Sequence, residues 1–245
     1  MKKESNGKFE QKIIRPLPGA TRVYVDDYNH DGLPDIIALM AQAREGIYLF
    51  TNKGNGMFDT KEVLQFPAVY GSSYFELDDF NNDGYKDILY TCGDNADFSA
   101  HTLKNFHGVY IFFNDGKNNF TQKYFFPIHG CYKAIARDFD QDGDLDIAAI
   151  SYFPDFKNQP QEAFVYLENK GTNTTHQETF QFTPYTIKEF NDGKWLTMDA
   201  GDIDGDGDDD IVLGNLIPPT KSLQMQSLAD AKRKPAFLLL ENKTK

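Results

Sequence analysis

The stretch DFDQDGDLDI, Asp138 to Ile147, carries carboxylates at its first, third, fifth, seventh and ninth positions and a glycine at its sixth. Carboxylates packed this closely repel one another, and they are unstable beside an apolar segment unless something neutralises them. The pattern D-x-[DN]-x-D-G-x-x-D-I recurs as DYNHDGLPDI from Asp27, DFNNDGYKDI from Asp79 and DIDGDGDDDI from Asp202, at separations of 52, 59 and 64 residues. The candidate ligands at positions 1, 3, 5 and 9 are Asp27, Asn29, Asp31 and Asp35; Asp79, Asn81, Asp83 and Asp87; Asp138, Asp140, Asp142 and Asp146; and Asp202, Asp204, Asp206 and Asp210. Position 7 varies in type (Leu33, Tyr85, Asp144, Asp208), which fits a ligand that gives only its backbone carbonyl.

A hard divalent cation is the chemistry that suits these groups. Calcium takes six to eight oxygens at roughly 2.3–2.6 Å, and alternate side chains pointing into a tight turn supply them, with Gly permitting the positive φ. Magnesium prefers near-ideal octahedral geometry and keeps its waters, and without thiolate or imidazole the loops do not suit zinc or copper. An EF-hand is excluded: its loop needs a Glu at position 12, where these loops have Ala38, Tyr90, Ala149 and Leu213. Four calcium ions would move the net charge from −12 to −4. The plain alternative is four solvated Asx-rich turns without metal.

The surrounding segments that must position these loops read as strands. Ahead of each loop, apolar residues alternate at Val23/Val25, Phe75/Leu77, Ala134/Ala136 and Met198/Ala200, the small ones suggesting a crowded inner location. A short apolar run follows each loop, then a third strand ending in asparagine (IYLFTN, VYIFFN, FVYLEN, FLLLEN), then a fourth such as MFDTKEVLQF. Four antiparallel strands per unit make one propeller blade, so the fold class is all-β, a β-propeller with four visible four-stranded blades in a single domain, 1–245. The repeats run approximately 19–66, 71–126, 130–187 and 193–245. The last lacks its fourth strand, and residues 6–16 match GNGMFDTKEVL in register, so the N-terminal strand either completes the last blade and closes a four-bladed ring, or the blades are part of a larger ring.

The loops and their strand context resemble the FG-GAP or VCBS repeat family, the calcium-binding propeller repeats also found in integrin alpha-chain heads. The resemblance covers essentially the whole chain. It implies calcium in the hairpin between the first and second strands of each blade. It also implies an extracellular or periplasmic location, usually within a multidomain secreted or surface protein. Family rings commonly have seven blades, and four are visible here.

Strand alternation puts the metal loops at one end of the blades and the long insertions, 93–108, 153–162 and 215–235, at the other. Variable loops on a rigid scaffold are where binding residues usually sit. Each inter-blade link there has a glycine (Gly19, Gly71, Gly130, Gly193), followed by Arg22, Tyr74, Tyr132, Lys133 and the sole tryptophan, Trp195. Aromatics beside cations around a channel mouth could bind a sugar or an acidic group; alternatively they plug the channel as packing.

Composition narrows the partners. A net charge of −12 and an isoelectric point of about 4.8 exclude a nucleic-acid partner and disfavour an anionic membrane surface. No apolar run is long enough for membrane insertion, and MKKESNGKFE lacks the apolar region of a signal peptide. Cys92 and Cys131 have no metal-binding spacing and read as buried thiols in preference to a disulfide. His101, His107 and His129 fall on the insertion face without a nucleophile signature, and Cys131 lies two residues after His129. The expected function is a non-catalytic module that binds a protein or carbohydrate ligand, with calcium stiffening the hairpins. The alternative is an enzyme or accessory domain acting on carbohydrate, which would need acid–base groups among Asp94, Asp97, His101, Asp155 and Lys194 to converge.

Overall fold

The computed structural model describes residues 11–42, 44–96, 102–171, 180–216 and 234–244. The alternating segments form antiparallel sheets whose strands lie side by side in chain order. Blade 1 contains β1 (Ala20–Asp26), β2 (Asp35–Met40), β3 (Gly46–Asn52) and β4 (Phe58–Gln65). Blade 2 contains β5 (Ser72–Asp78), β6 (Asp87–Cys92), β7 (Gly108–Asn114) and β8 (Phe120–Pro127). Blade 3 contains β9 (Cys131–Arg137), β10 (Asp146–Ser151), β11 (Phe164–Asn169) and β12 (Phe182–Tyr185). Blade 4 has three strands among the described residues, β13 (Trp195–Gly201), β14 (Asp210–Asn215) and β15 (Phe237–Leu240).

The register of the first hairpin is the same in every blade. The residue before the Asp-rich loop pairs with the loop's ninth residue: Asp26 with Asp35, Asp78 with Asp87, Arg137 with Asp146, Gly201 with Asp210. Each innermost strand also carries a bulge near its start, at Thr21, Ser73, Tyr132 and Leu196. Bulges increase local twist, and their repetition here gives the four inner strands one shape.

The three largest core clusters lie between blades, and a fourth (Ala38, Met40, Tyr48 and Phe50) lies on blade 1 alone. Ile37, Leu39, Ile47 and Leu49 of blade 1 pack on Phe75, Ile88 and Tyr90 of blade 2. Leu89, Val109 and Ile111 of blade 2 pack on Ala134, Ala136, Ile147 and Ala149 of blade 3. Ile135, Ala148 and Ile150 of blade 3 pack on Trp195, Met198, Ile211 and Leu213 of blade 4. The small Ala134 and Ala136 are fully enclosed, as their position ahead of the loop suggests. Val23 and Val25 differ: they are exposed, because they lie on the face of blade 1 that no other blade covers.

No closure between blades 4 and 1 is seen among the described residues. Of the expected closing strand, residues 6–10 lie outside the described residues, and 11–16 form no strand with β15. They run over the free face of blade 1 instead, where Ile13, Ile14 and Arg15 approach Val23, Ile36 and Ala38. The Arg15 guanidinium stands 4.1 Å from the Tyr48 ring centre.

Candidate metal centres and the opposite face

The four Asp-rich loops connect the first and second strands of their blades and sit at one end of the molecule. Loop 3 reaches loop 4 through Gln141 Nε2, which donates to the Gly207 carbonyl at 3.0 Å. Loop 1 reaches blade 2 through the Tyr28 hydroxyl, which donates to the Lys86 carbonyl at 2.9 Å.

Local geometry explains how the loops hold their shape. The sixth-position glycines have φ between +86° and +95°, where a side chain would be strained (Gly32, Gly84, Gly143, Gly207). The fourth position is left-handed too, at His30, Asn82, Gln141 and Gly205. Nothing in the spacing announced that second turn; Gly, Asn and His tolerate it, whereas Gln141 does so at some strain. The paired reversals let the loop amides bond its own carboxylates. The sixth-position N–H donates to Oδ2 of the first Asp in all four loops, at 2.9, 2.7, 3.0 and 3.1 Å. The seventh-position N–H donates to Oδ1 of the fifth-position Asp, at 2.9, 2.8, 3.1 and 3.2 Å.

Three carboxylates also gather in each of loops 3 and 4. One oxygen from each of Asp138, Asp140 and Asp142 lies within 4.8 Å of the others, and the same holds for Asp202, Asp204 and Asp206. In loops 1 and 2 the third position is an amide, and Asn29 and Asn81 donate Nδ2 to Asp31 and Asp83 at 3.0 and 2.9 Å.

The seventh position divides the loops into two kinds. Leu33 and Tyr85 are exposed, as residues giving only a carbonyl would be. Asp144 and Asp208 are 4% and 3% exposed, and no donor reaches either oxygen of either carboxylate. Burial, then the neighbouring Asp142 and Asp146, pushes the Asp144 carboxyl up to about 7. A buried ion without a partner is costly, so these two side chains are incomplete as they stand. Their variability in type had marked them only as carbonyl donors; burial, which a repeat pattern does not report, is what adds the carboxylate.

The ninth-position Asp has a second task. Its Oδ1 accepts the backbone N–H of the asparagine that ends the third strand, Asn52, Asn114, Asn169 or Asn242, at 2.7–2.8 Å. The asparagine side chain then reaches back to the carbonyl of loop residue eight: Pro34, Lys86, Leu145 or Asp209. These asparagines were visible in the sequence as a recurring strand end, and the structure supplies their role.

At the other end, three of the five expected channel-mouth residues meet. The Tyr74 ring lies between the Arg22 guanidinium and the Lys133 ammonium, each 4.7 Å from its centre. Tyr132 joins a second group, 6.4 Å from the Tyr152 ring, with Lys194 over Tyr152 and Phe156 at 5.4 and 5.2 Å. Trp195 departs from the expected position. Its indole is fully buried between blades 3 and 4 and donates to the Phe190 carbonyl at 3.0 Å, so it packs and is not placed to touch a ligand.

Among the acid–base candidates, Asp97 and His101 lie outside the described residues. Asp94 and Asp155 each close a turn of their own, accepting N–H bonds from Ala96 and from Lys157 and Asn158. Both cysteines are free and buried, and burial pushes the Cys92 thiol up to about 12 and Cys131 well above its ordinary value. Burial thus disfavours the reactive thiolate at both. His129 Nδ1 and Glu162 Oε2 are 3.0 Å apart beside a cleft of about 440 Å³ that Phe126, Pro184 and Tyr185 help to line.

A family model described as FG-GAP-like repeat matches residues 27–90 and 138–213, together more than half of the chain. Each matched segment contains two of the Asp-rich loops. Integrin alpha-PS5 of Drosophila melanogaster is 35% identical over 77 residues, covering 27% of this chain and 8% of that relative. No helix among the described residues is long and apolar enough to cross a membrane.

Proposed function

The chain belongs to the FG-GAP-like repeat family, and from that premise we propose that it is an extracellular interaction module, a β-propeller whose Asp-rich hairpins hold calcium while the opposite face binds a protein or carbohydrate ligand. The observation that carries the metal half is the pair of buried, unpartnered carboxylates, Asp144 and Asp208, set beside clusters of three aspartates. Oxygen-only donors in a rigid loop suit calcium better than any softer ion. Asp138, Asp140, Asp142, Asp144 and Asp146 would hold it in loop 3, and their counterparts from Asp202 to Asp210 in loop 4. In loops 1 and 2, Leu33 and Tyr85 would contribute carbonyls beside Asp27, Asn29, Asp31 and Asp35, and beside Asp79, Asn81, Asp83 and Asp87. Bound calcium supplies positive charge that pins each hairpin.

The ligand half rests on the Arg22–Tyr74–Lys133 stack and the Tyr132–Tyr152–Lys194 group, flat rings beside cations that suit sugars or acidic side chains. The similarity to an integrin alpha chain favours a protein ligand and an adhesive role outside the cell. Calorimetric titration of chelator-treated protein with calcium tests the first half; absence of heat at millimolar calcium rejects it. Binding to arrays of glycans and acidic peptides, compared with Tyr74→Ala and Lys133→Ala, tests the second; equal binding by the variants rejects that face.

The His129–Glu162 pair beside its cleft supports a second reading, an accessory or enzymatic role on carbohydrate. Polysaccharide turnover lost in Glu162→Gln would favour it over the binding module.

A further inference from the structure

Aligned on their second and third strands, blades 1 and 3 place a glutamate at the same position ahead of the third, Glu45 and Glu162. The two carboxylates face different neighbours. Glu45 Oε2 takes the N–H and Oγ–H of Ser72 at 2.9 and 2.6 Å and so holds the next blade. Glu162 turns to the link ahead of its own blade, where Oε2 takes the His129 N–H at 3.1 Å and lies 3.0 Å from Nδ1. Ser151 Oγ donates to the His129 carbonyl, so the histidine is held by backbone and ring together. An ionised carboxylate only accepts, so Nδ1 carries the proton of the neutral ring and Nε2 is left as an acceptor. Neither Glu162 Oε1 nor His129 Nε2 has a hydrogen-bond partner among the described residues, and neither atom is enclosed.

Both residues line the cleft of about 440 Å³, a size that suits a small ligand. Phe126, Pro184 and Tyr185 supply apolar wall, Tyr185 being 48% exposed, and Gln159 and Gln161 bring side-chain amides to it. Thr186 Oγ1 donates to the carbonyls of Gln161 and Phe164 at 3.2 and 2.7 Å, which ties the insertion 153–162 to the end of β12. The cleft is therefore preformed, and a ligand entering it has little ordering to bring about.

We propose that this cleft binds a neutral sugar ring, whose hydroxyls donate to Glu162 Oε1 and His129 Nε2 while its C–H face lies on Tyr185 and Phe126. Flat apolar wall beside a few fixed polar groups matches a ring with C–H on its face and hydroxyls on its edge. A carboxylate in the cleft, in a chain of net charge −12, repels an acidic sugar. A cationic ligand would meet one carboxylate whose other oxygen is already taken up by His129. The inference rests on the second reading above and narrows it: the pair accepts hydrogen bonds from a bound sugar and does not act as acid and base. Glycoside hydrolysis uses two carboxyl groups. Asp155, the other acid of the insertion, has both oxygens occupied by Lys157 and Asn158.

Saturation-transfer NMR of the full chain with the methyl glycosides of glucose, galactose, mannose and xylose tests it, with galacturonate and lysine amide as charged probes. At least one neutral glycoside should bind, and both charged probes should bind at least tenfold more weakly. Glu162→Gln keeps an acceptor for the His129 N–H but gives up the free carboxylate oxygen, and Tyr185→Ala removes an exposed ring that the fold does not need. Each should weaken binding at least tenfold, while Tyr74→Ala leaves it unchanged; Tyr185→Ala alone decides if Glu162→Gln unfolds. No binding by any neutral glycoside overturns the proposal, as does tighter binding of galacturonate or lysine amide. Binding lost in Tyr74→Ala and kept in the cleft variants also overturns it, while leaving the Arg22–Tyr74–Lys133 face as the sugar site. Reducing sugar released from oligosaccharides of the same four sugars overturns the acceptor role and leaves the second reading standing in its enzymatic form.

Discussion

Asp87 Oδ1 accepts the backbone N–H of Asn114 at 2.8 Å, joining the Asp-rich hairpin of blade 2 to the end of its third strand. Oδ2 of the same carboxylate takes the N–H of Phe80 at 3.0 Å. The equivalents of the first bond recur at Asp35, Asp146 and Asp210, so a residue chosen as a metal ligand is also a brace between hairpins. The brace and the proposed metal site are therefore coupled through one side chain.

Replacing that side chain should be costly without metal as well as with it. Asp87→Ala leaves the N–H groups of Phe80 and Asn114 unpaired in a buried place, at about 1–3 kcal/mol each. Urea unfolding in chelator should show a loss of roughly 2–6 kcal/mol. A loss seen only in the presence of calcium would mean that the brace has no independent weight.

Calcium should raise the melting temperature, and chelator should reverse it. Each site filled at a hundred times its dissociation constant contributes about 2.7 kcal/mol if the unfolded chain does not bind. Scanning calorimetry at micromolar and millimolar calcium checks this, and a melting curve indifferent to calcium removes the metal from the account.

Asp144→Asn should change stability in opposite directions with and without metal. In chelator, removing a buried carboxylate with no partner should stabilise the fold, by an amount on the order of 1 kcal/mol. In calcium the same variant should bind more weakly, by at least several-fold, while Leu33→Ala, whose side chain points to solvent, should bind as before. Titration calorimetry on both variants, with melting curves in chelator, separates the two effects.

His107 should give the fold an acid-sensitive component. It is 1% exposed, and burial together with Lys104 and His129 lowers it from its ordinary value to about 4. The unfolded chain binds this proton more readily than the folded one between about pH 6.5 and 4, so stability falls as the pH drops through that window, by at most about 1.4 kcal/mol per unit. His107→Asn keeps an acceptor for the Gly130 N–H and should flatten that limb relative to the unaltered protein. Parallel slopes for the two proteins between pH 6.5 and 4 would dismiss the histidine as the cause.

Cys92 and Cys131 should resist thiol reagents until the protein unfolds. Both are buried and their thiols are held protonated. Labelling that tracks the unfolding curve in denaturant is expected; rapid labelling of native Cys92 would show that the blade 1–2 interface opens on its own, and of Cys131 the blade 2–3 interface.

Much of this protein was legible in its sequence because its determinants are local. A loop whose acidic and amide side chains lie within nine residues, a glycine that allows the reversal, and strands alternating on either side all leave a pattern along the chain. That pattern alone placed Asp27, Asp79, Asp138 and Asp202 at the start of hairpins between first and second strands. Only the tertiary structure decided what depends on a distant segment's choice of face. It buried Trp195 against blade 3, drew Arg22, Tyr74 and Lys133 from three blades into one stack, and turned Asp144 and Asp208 inward while their counterparts Leu33 and Tyr85 stayed outside. It also left Val25 of blade 1 and Phe237 of blade 4 exposed. A strand's period says that it has two faces; which of them is covered depends on whether another blade lies against it.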